Sequence, residues 1–337
     1  KKKGYSISLI NKSIEIVTIP APKDPTLNRK NVGIKLDEEL ILEILSKSYE
    51  KVVITIIQTE NDLKALAERK PDLVFSGIKY FIFDKKEEIW LSDYLKEHNI
   101  DYITSNKEAL ANEYFKDNAK NIVKEANINT AKFFTTQPDE HPTESSLPVT
   151  FPLFLKPITG GDSRGINPES VVFDFKKYQA KVLDIFETQK SRTLVENYLS
   201  GKEYSVSILE NKSKNILMIL PVEIIAVKNK NGHRVLDYEA KQNDLEEVVE
   251  VVDKKIRKEL CNIALNSFIA LGGKTIGRID IKTSYNGILH FIEANLMPGL
   301  GNGYFSRSFM LNENMDYEQM ILRIADAGMV LPEEVEI

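Results

Sequence analysis

The feature that most limits what this chain can become is the alternation of strand-like and helix-like segments across its first hundred or so residues. "YSISLI" and "IEIVTI" are β-rich runs, and "LDEELILEILSKSY" carries apolar residues at helical spacing behind an acidic start. "KVVITII" then reads as a buried strand, "ENDLKALAERK" as a helix and "DLVFSGI" as a strand. "KKEEIWLSDYLKEHN" reads as a helix leading into the strand "DYIT". Strands separated by helices pair in parallel through crossovers, so residues 1–105 are predicted to form a doubly wound α/β domain. Asn106 is placed to cap one long helical stretch, "NKEALANEYFKDNAKNIVKEANI". A second α/β unit begins around "TAKFF", which makes 106–192 a central domain with the Pro-rich polar loop "TTQPDEHPTESSLP" inside it. From residue 193 the pattern turns mostly antiparallel, through "RTLVENYL", "EYSVSIL", "NILMILPVEIIAV", one long helix and a last hairpin, which sets a C-terminal domain at 193–337. The stretch "KNKNGHRVLDYEAKQNDLEE" inside it is polar, charged and non-periodic, and is predicted to be an exposed mobile loop.

The last hairpin, "RIDIKTSYNGILHFIEAN", carries the chemistry that stands out. Asn-Gly between alternating hydrophobics predicts a two-residue turn at Asn286 and Gly287. Counting outward from Tyr285 facing Ile288 sets Asp280 opposite Glu293 and Arg278 opposite Asn295, all on one face. Ile279, Ile281, Ile292 and Ala294 then point into a core. Like charges directly opposite are destabilising. Either a cation sits between the acids, or the face is solvated with Arg278 as counter-ion, and a bulge would shift the pairing.

At 337 residues the chain exceeds one typical core, and 42% hydrophobic with 28% charged residues is ordinary for a globular protein. A net charge of −5 supplies no basic field for nucleic acid. The single cysteine, Cys261, excludes an intramolecular disulfide and reads as a buried structural residue of a cytoplasmic protein. No apolar run reaches the roughly 18 residues a membrane span needs. The basic start "KKKGYSISLI" is too short in its apolar part for a signal peptide, and the missing Met suggests trimming. Four scattered histidines, without HExxH or Cys pairs, speak against zinc, and no Walker or dinucleotide glycine fingerprint is present.

"FPLFLKPITGGDSRGI" ends a strand in Lys156 beside a loop with Gly160, Gly161 and Gly165. A strand-end lysine under a glycine-rich loop can hold phosphate; an ordinary turn with a surface lysine is the competing reading. "TLVENYLSGKEYSVSIL" sets Glu196 and Glu203 around a turn at Ser200-Gly201. It can offer a purine a sheet edge and a ribose a carboxylate, or it is two exposed acids on a half-buried strand.

The order of these stretches resembles the ATP-grasp superfamily, and within it the D-alanine–D-alanine ligases, from about residue 70 to about 305. The resemblance implies an ATP-grasp fold: an N-terminal parallel α/β domain followed by two α+β subdomains. By that likeness "GRIDIK" and "EANLMPG" are the metal motif, with Asp280, Glu293 and Asn295 holding two Mg²⁺ (or Mn²⁺). Arg278 would then steady the reacting acyl centre. Lys116 in "NEYFKDNAK" and Lys156 in "FLKP" match the ATP lysines. Glu196, Asn197 and Leu199 match the purine strip, with Asn197 where lysine is usual, and Glu203 matches the ribose ligand. Lys241 in "YEAK" matches a loop lysine that reaches the γ-phosphate, and the Gly160–Gly165 loop with Gly161 and Ser163 matches the lid. The implied reaction joins a small-molecule carboxylate to an amine through an acyl phosphate, ATP going to ADP and phosphate, and the family implies a homodimer through the N-terminal domain.

The departures lie on the amino-acid side. "SLINKSIEIVTIPAPKDP" lacks the glycine-rich loop with its glutamate, and Lys79 stands near the missing His-Gly loop. Asp162 and Ser163 replace paired serines with Arg164 behind them, Gln242 replaces a tyrosine and Tyr304 a serine. ATP chemistry with rewritten substrate recognition is the expectation, extra cations (Lys79, Arg164, Arg307) pointing to an anionic substrate group or being plain surface charges. A true D-alanine–D-alanine ligase with divergent contacts, and a non-catalytic ATP-binding module, are the alternatives.

Overall fold

The structure, a computed structural model, describes residues 8–21, 32–84, 87–161, 163–211, 213–243 and 245–329. Near the N-terminus, Ile10–Thr18 (β1), Tyr49–Ile56 (β2), Leu73–Ser76 (β3) and Asp101–Tyr102 (β6) form a parallel sheet in the order β2-β1-β3-β6. The helices Glu38–Ser46 (α1), Glu60–Arg69 (α2) and Leu91–Glu97 (α3) make the crossovers that parallel pairing demands. Asp37 caps α1, and Thr59 with Asp62 closes a capping box on α2. Strand β1 is one element where the sequence suggested two, with a register irregularity between Ile10 and Ser13; Tyr5, Ser6 and Ile7 lie outside the described residues. Helix α3 starts later than its periodicity predicts, because Ile89–Trp90 (β5) pairs with Tyr80–Phe81 (β4) as a small antiparallel ribbon.

Asn106 caps as predicted, its Oδ1 accepting from the Ala109 N–H at 2.9 Å. The long helix, however, breaks at Phe115 (φ −90°, ψ 110°) into Lys107–Tyr114 (α4) and Lys116–Glu125 (α5). No Gly or Pro marks this break. Its cause is tertiary: the Lys116 N–H donates to Ile158 O at 3.0 Å, on the glycine-rich loop, instead of continuing the helix.

The strands Phe133–Thr136 (β7), Leu153–Pro157 (β8), Val171–Val172 (β9) and Thr193–Asn197 (β10) form an antiparallel sheet in the order β7-β10-β8-β9. Phe175–Gln189 (α6) covers it through Tyr178, Val182 and Ile185 on Leu153, Leu155 and Val195. Since β10 pairs with β7 and β8 and not with the later strands, we propose to divide the chain after Asn197 rather than at 192/193.

The last sheet, order β13-β12-β11-β14-β15, is antiparallel: Glu203–Asn211 (β11), Ile216–Ile225 (β12), Glu247–Glu250 (β13), Ile276–Thr283 (β14) and Leu289–Asn295 (β15). Lys254–Ala270 (α8) buries Leu260, Ala264 and Phe268 against Val206, Ile208, Ile279 and Ile281. Tyr304–Glu313 (α9) and Tyr317–Gly328 (α10) share one core with the N-terminal sheet, Phe305, Phe309 and Ile324 packing among Ile14, Ile16 and Phe75. Such a shared apolar core ties the first and last parts of the chain together. The segment between β12 and β13 corrects the expectation of an exposed loop. It folds into a turn bridged at Lys228 and Arg234 and a short helix Tyr238–Gln242 (α7), and it buries Val235, Leu236, Asp237 and Ala240.

Between β10 and β11 the chain turns against the β14–β15 hairpin. The Gly201 N–H donates to Thr283 O at 2.9 Å, and a Cβ on Gly201 would stand 2.0 Å from Thr283 Oγ1 and 2.6 Å from Thr283 O. The Thr283 backbone cannot yield cheaply, so Gly201→Ala is expected to cost about 1–3 kcal/mol. Denaturant unfolding measures this; an unchanged midpoint would show that the turn is not pinned there.

Candidate functional site

The site is built on the β14–β15 hairpin, and its register depends on two irregularities that cancel. The turn is one residue longer than Asn-Gly predicts: the Gly287 N–H donates to Ser284 O at 3.0 Å, and the Ser284 N–H to Ile288 O at 2.9 Å. Gly287 alone is left-handed, at φ +81°, where the two-residue turn needs both central residues so. That offsets the strands by one, giving Thr283 opposite Leu289. A bulge between Asp280 and Ile281 restores it, with Ile292 the extra residue. Asp280 therefore does face Glu293, and Arg278 faces Asn295. The core side is corrected accordingly: Phe291, fully buried, takes the place predicted for Ile292.

Strand alternation puts Glu203 and Ser205 of β11 on the same face, Ser205 directly opposite Asp280. Ser205 Oγ donates to Asp280 Oδ1 at 2.8 Å, and Arg278 donates to both Asp280 oxygens at 3.0 Å. Burial works against the Glu293 charge, yet Lys116, Lys156, Lys241 and Arg278 hold its carboxyl far below the usual range, at about 2. These four cations come from α5, β8, α7 and β14, elements far apart in the chain. The structure thus brings together five residues singled out in the sequence.

The glycine-rich loop is fastened from both sides. Lys116 Nζ donates to Gly160 O, and Ser163, left-handed at φ +58°, donates its Oγ to Leu236 O at 3.0 Å. The Tyr238 N–H reaches Ile166 O at 3.2 Å, and Lys230 pairs with Glu169 at 2.7 Å. Gly161 is exposed at the tip, its carbonyl accepting from the Arg164 N–H. Asp162 and the side chain of Gln242 lie outside the described residues. Lys241 rides on α7, which Asp237 caps through the Ala240 N–H at 2.8 Å.

On β10, Glu196 is 6% exposed and sits between two buried lysines: Lys156 Nζ at 3.1 Å and Lys120 Nζ at 2.9 Å. Burial opposes the Glu196 charge, and the two lysines hold the carboxyl down to about 2 nonetheless. Glu203 accepts from Lys282 at 3.4 Å. Asn197 gives its Nδ2 to Thr150 O at 3.2 Å, so that side chain is spent on the central domain. Leu199 and Tyr198 line a cleft of about 930 Å³ beside the turn, with His233 standing against the Tyr198 and Phe173 rings.

Three residues escaped the sequence reading. Lys120 carries its one signal in its spacing, four residues past Lys116 on the same helix face. Glu113 accepts from the Leu296 N–H at 2.5 Å, and burial pushes its carboxyl up to about 7. Glu246 accepts from the Tyr304 hydroxyl at 2.6 Å, while the Tyr304 ring lies 5.5 Å from the Arg278 guanidinium. Cys261 is half-buried rather than fully so, and burial pushes its thiol up, away from a nucleophile's range. No helix among the described residues is long and apolar enough to cross a membrane.

Residues 122–326 match the family model for the D-ala D-ala ligase C-terminus. The D-alanine–D-alanine ligase of Aquifex aeolicus (strain VF5) is 29% identical over 261 residues, spanning 76% of this chain and 82% of that protein. Two crystal structures share the fold at 18% identity. They are the Bacillus anthracis D-alanine–D-alanine ligase complexed with ATP (TM-score 0.65, 94% of this chain and 97% of that one) and the Enterococcus faecalis VanG D-Ala:D-Ser ligase (TM-score 0.64, 95% and 100%). With the family model covering more than half of it, this chain belongs to the D-alanine–D-alanine ligase family of ATP-grasp enzymes, which form C–N bonds.

Proposed function

We propose that this protein is an ATP-dependent carboxylate–amine ligase whose organic substrates differ from the usual D-alanine pair. The observation that carries the reading is the facing pair Asp280 and Glu293, with Arg278 donating to both Asp280 oxygens and the charges of Lys116, Lys156, Lys241 and Arg278 acting on Glu293. These four cations outnumber the two acids, an excess of positive charge that suits a polyphosphate.

The residues present fit Mg²⁺. The two carboxylates and the carboxamide, carried by the neighbouring strands β14 and β15, are hard oxygen donors. No three His, Cys, Asp or Glu side chains among the described residues converge as a metal cage, so phosphate oxygens would complete the coordination. Asp280, Glu293 and Asn295 would hold the ions, which when bound draw charge from the β- and γ-phosphates.

The chain's own residues do the rest. Lys116, Lys156 and Lys241 bind and orient the phosphates, with Gly160 to Gly165 as the lid that Ser163 latches and that keeps water out. The turn at Glu196, Asn197 and Leu199 takes the purine, Asn197 through its backbone alone, and Glu203 takes ribose hydroxyls. A substrate carboxylate oxygen attacks the γ-phosphorus and ADP leaves, giving an acyl phosphate. The amine nitrogen then attacks the acyl carbon, phosphate leaves, and the amine loses a proton as the amide forms. Arg278, held flat by Asp280 and the Tyr304 ring, faces the charge that gathers on the acyl oxygen.

Support for changed substrates comes from Tyr304. Where the family places a small hydroxyl for the second substrate's carboxylate, Tyr304 bonds the acidic Glu246. A site that pairs different polar groups selects different substrates. The fold tolerates such change, since the VanG neighbour is a D-Ala:D-Ser ligase.

Phosphate release from Mg·ATP, measured across D- and L-amino acids and small carboxylates singly and in pairs, tests the reading. Release with an acid–amine pair other than D-alanine with itself is expected. Release and dipeptide with D-alanine alone would refute the changed specificity, and silence with ATP bound would refute the ligase. Asp280→Asn is expected to lower kcat by about a hundredfold or more with the fold intact by circular dichroism. Unchanged turnover would remove Asp280 from the metal site. Lys241→Ala should lower kcat more than it weakens ATP binding, because α7 contributes its charge from the segment that latches the lid; equal losses would contradict that order.

A further inference from the structure

Lys120 is the most deeply buried charge near the cleft, with its side chain wholly inaccessible. Its ammonium is occupied entirely by protein groups. It pairs with Glu196 Oε2 at 2.9 Å, donates to Thr130 Oγ1 at 2.5 Å, and stands over the Phe133 ring at 5.0 Å. Thr130 passes the bond on, its Oγ1 donating to Phe291 O at 2.9 Å on the strand that carries Glu293. Lys156 differs. It pairs with Glu196 Oε1 at 3.1 Å, and its charge also acts on Glu293 and Lys116.

The three groups carry +1, −1 and +1. Without Lys120, the Glu196 carboxylate would belong to Lys156 alone, and that pair would present no net charge to a ligand. With Lys120 in place the carboxylate is already neutralised by a second lysine, so the buried cluster keeps one net positive charge. A buried charge surrounded by protein interacts strongly over a few ångströms, because little water screens it.

We propose that Lys120 is a positioning residue for the nucleotide. Without touching the ligand, it fixes the Glu196 carboxylate in place and neutralises it, leaving the charge of Lys156 to a phosphate group. This rests on the reading of the cleft as an ATP site.

The selectivity of the protein for phosphate over the bare nucleoside, Kd(adenosine)/Kd(ADP), isolates the effect by calorimetry, since any change in purine contacts cancels in the ratio. Lys120→Met is expected to lower that ratio about tenfold by removing one cation from the cluster. The double variant Lys120→Met with Glu196→Gln restores a net charge of +1 and should return the ratio to within about twofold of wild type. The double variant also replaces a buried ion pair by neutral groups of like size, a change that folded proteins commonly accept. It is therefore informative even if Lys120→Met alone fails to fold. A ratio unchanged in Lys120→Met, or still depressed in the double variant, would overturn the charge role and leave Lys120 as packing. Wild-type protein that binds neither ADP nor adenosine would instead remove the nucleotide reading on which the proposal stands.

Discussion

Asp280 and Glu293 lie directly opposite each other on neighbouring strands, and most of the site is arranged around the cost of that pairing. Two carboxylates at such spacing repel, and in a partly buried setting neither can rely on water. Asp280 is satisfied locally by Arg278 and Ser205. Glu293 is held charged by the fields of lysines on α5, β8 and α7. Each of those lysines is in turn tied to a structural feature: Lys116 to the helix break and the glycine-rich loop, Lys156 to Glu196, Lys241 to the folded segment before β13. The acids act as the point on which three parts of the chain converge.

The same logic explains why the charges of four cations, Lys116, Lys156, Lys241 and Arg278, act on one carboxylate in a protein whose net charge is −5. The latch between the glycine-rich loop and α7 uses backbone carbonyls and N–H groups together with one ion pair, Lys230 with Glu169. Those bonds join the central and C-terminal parts of the chain.

Several elements were readable because their signals are local. Apolar periodicity, the Asn106 cap and the alternation of strand and helix depend on residues within one turn or one strand, and they reappear in α1, α2, α4 and the parallel sheet. The opposition of the two acids came out as predicted for a reason the sequence does not display: a longer turn at Gly287 and a bulge at Ile292 offset each other. The break at Phe115 carried no Gly or Pro, since a hydrogen bond to Ile158 produces it. The segment 228–247 read as exposed because its composition is polar, yet Leu236 and Ala240 are buried in it. Lys120 and Glu113 look like ordinary helical surface residues until the sheets close over them.

Reading along the chain was enough for the order of strands and helices, for the motif that assigns the protein to the ATP-grasp ligases, and for most of the charged residues that meet in one place. Each of these follows from short-range periodicity or from motifs whose residues are close in the chain. Packing in three dimensions was needed to show that β10 closes the central sheet, that Glu196 is shared by two buried lysines, and that Tyr304 lies between Arg278 and Glu246. Those outcomes turn on which distant groups desolvate one another, and burial of a charge is settled by contact between remote segments rather than by the residues beside it.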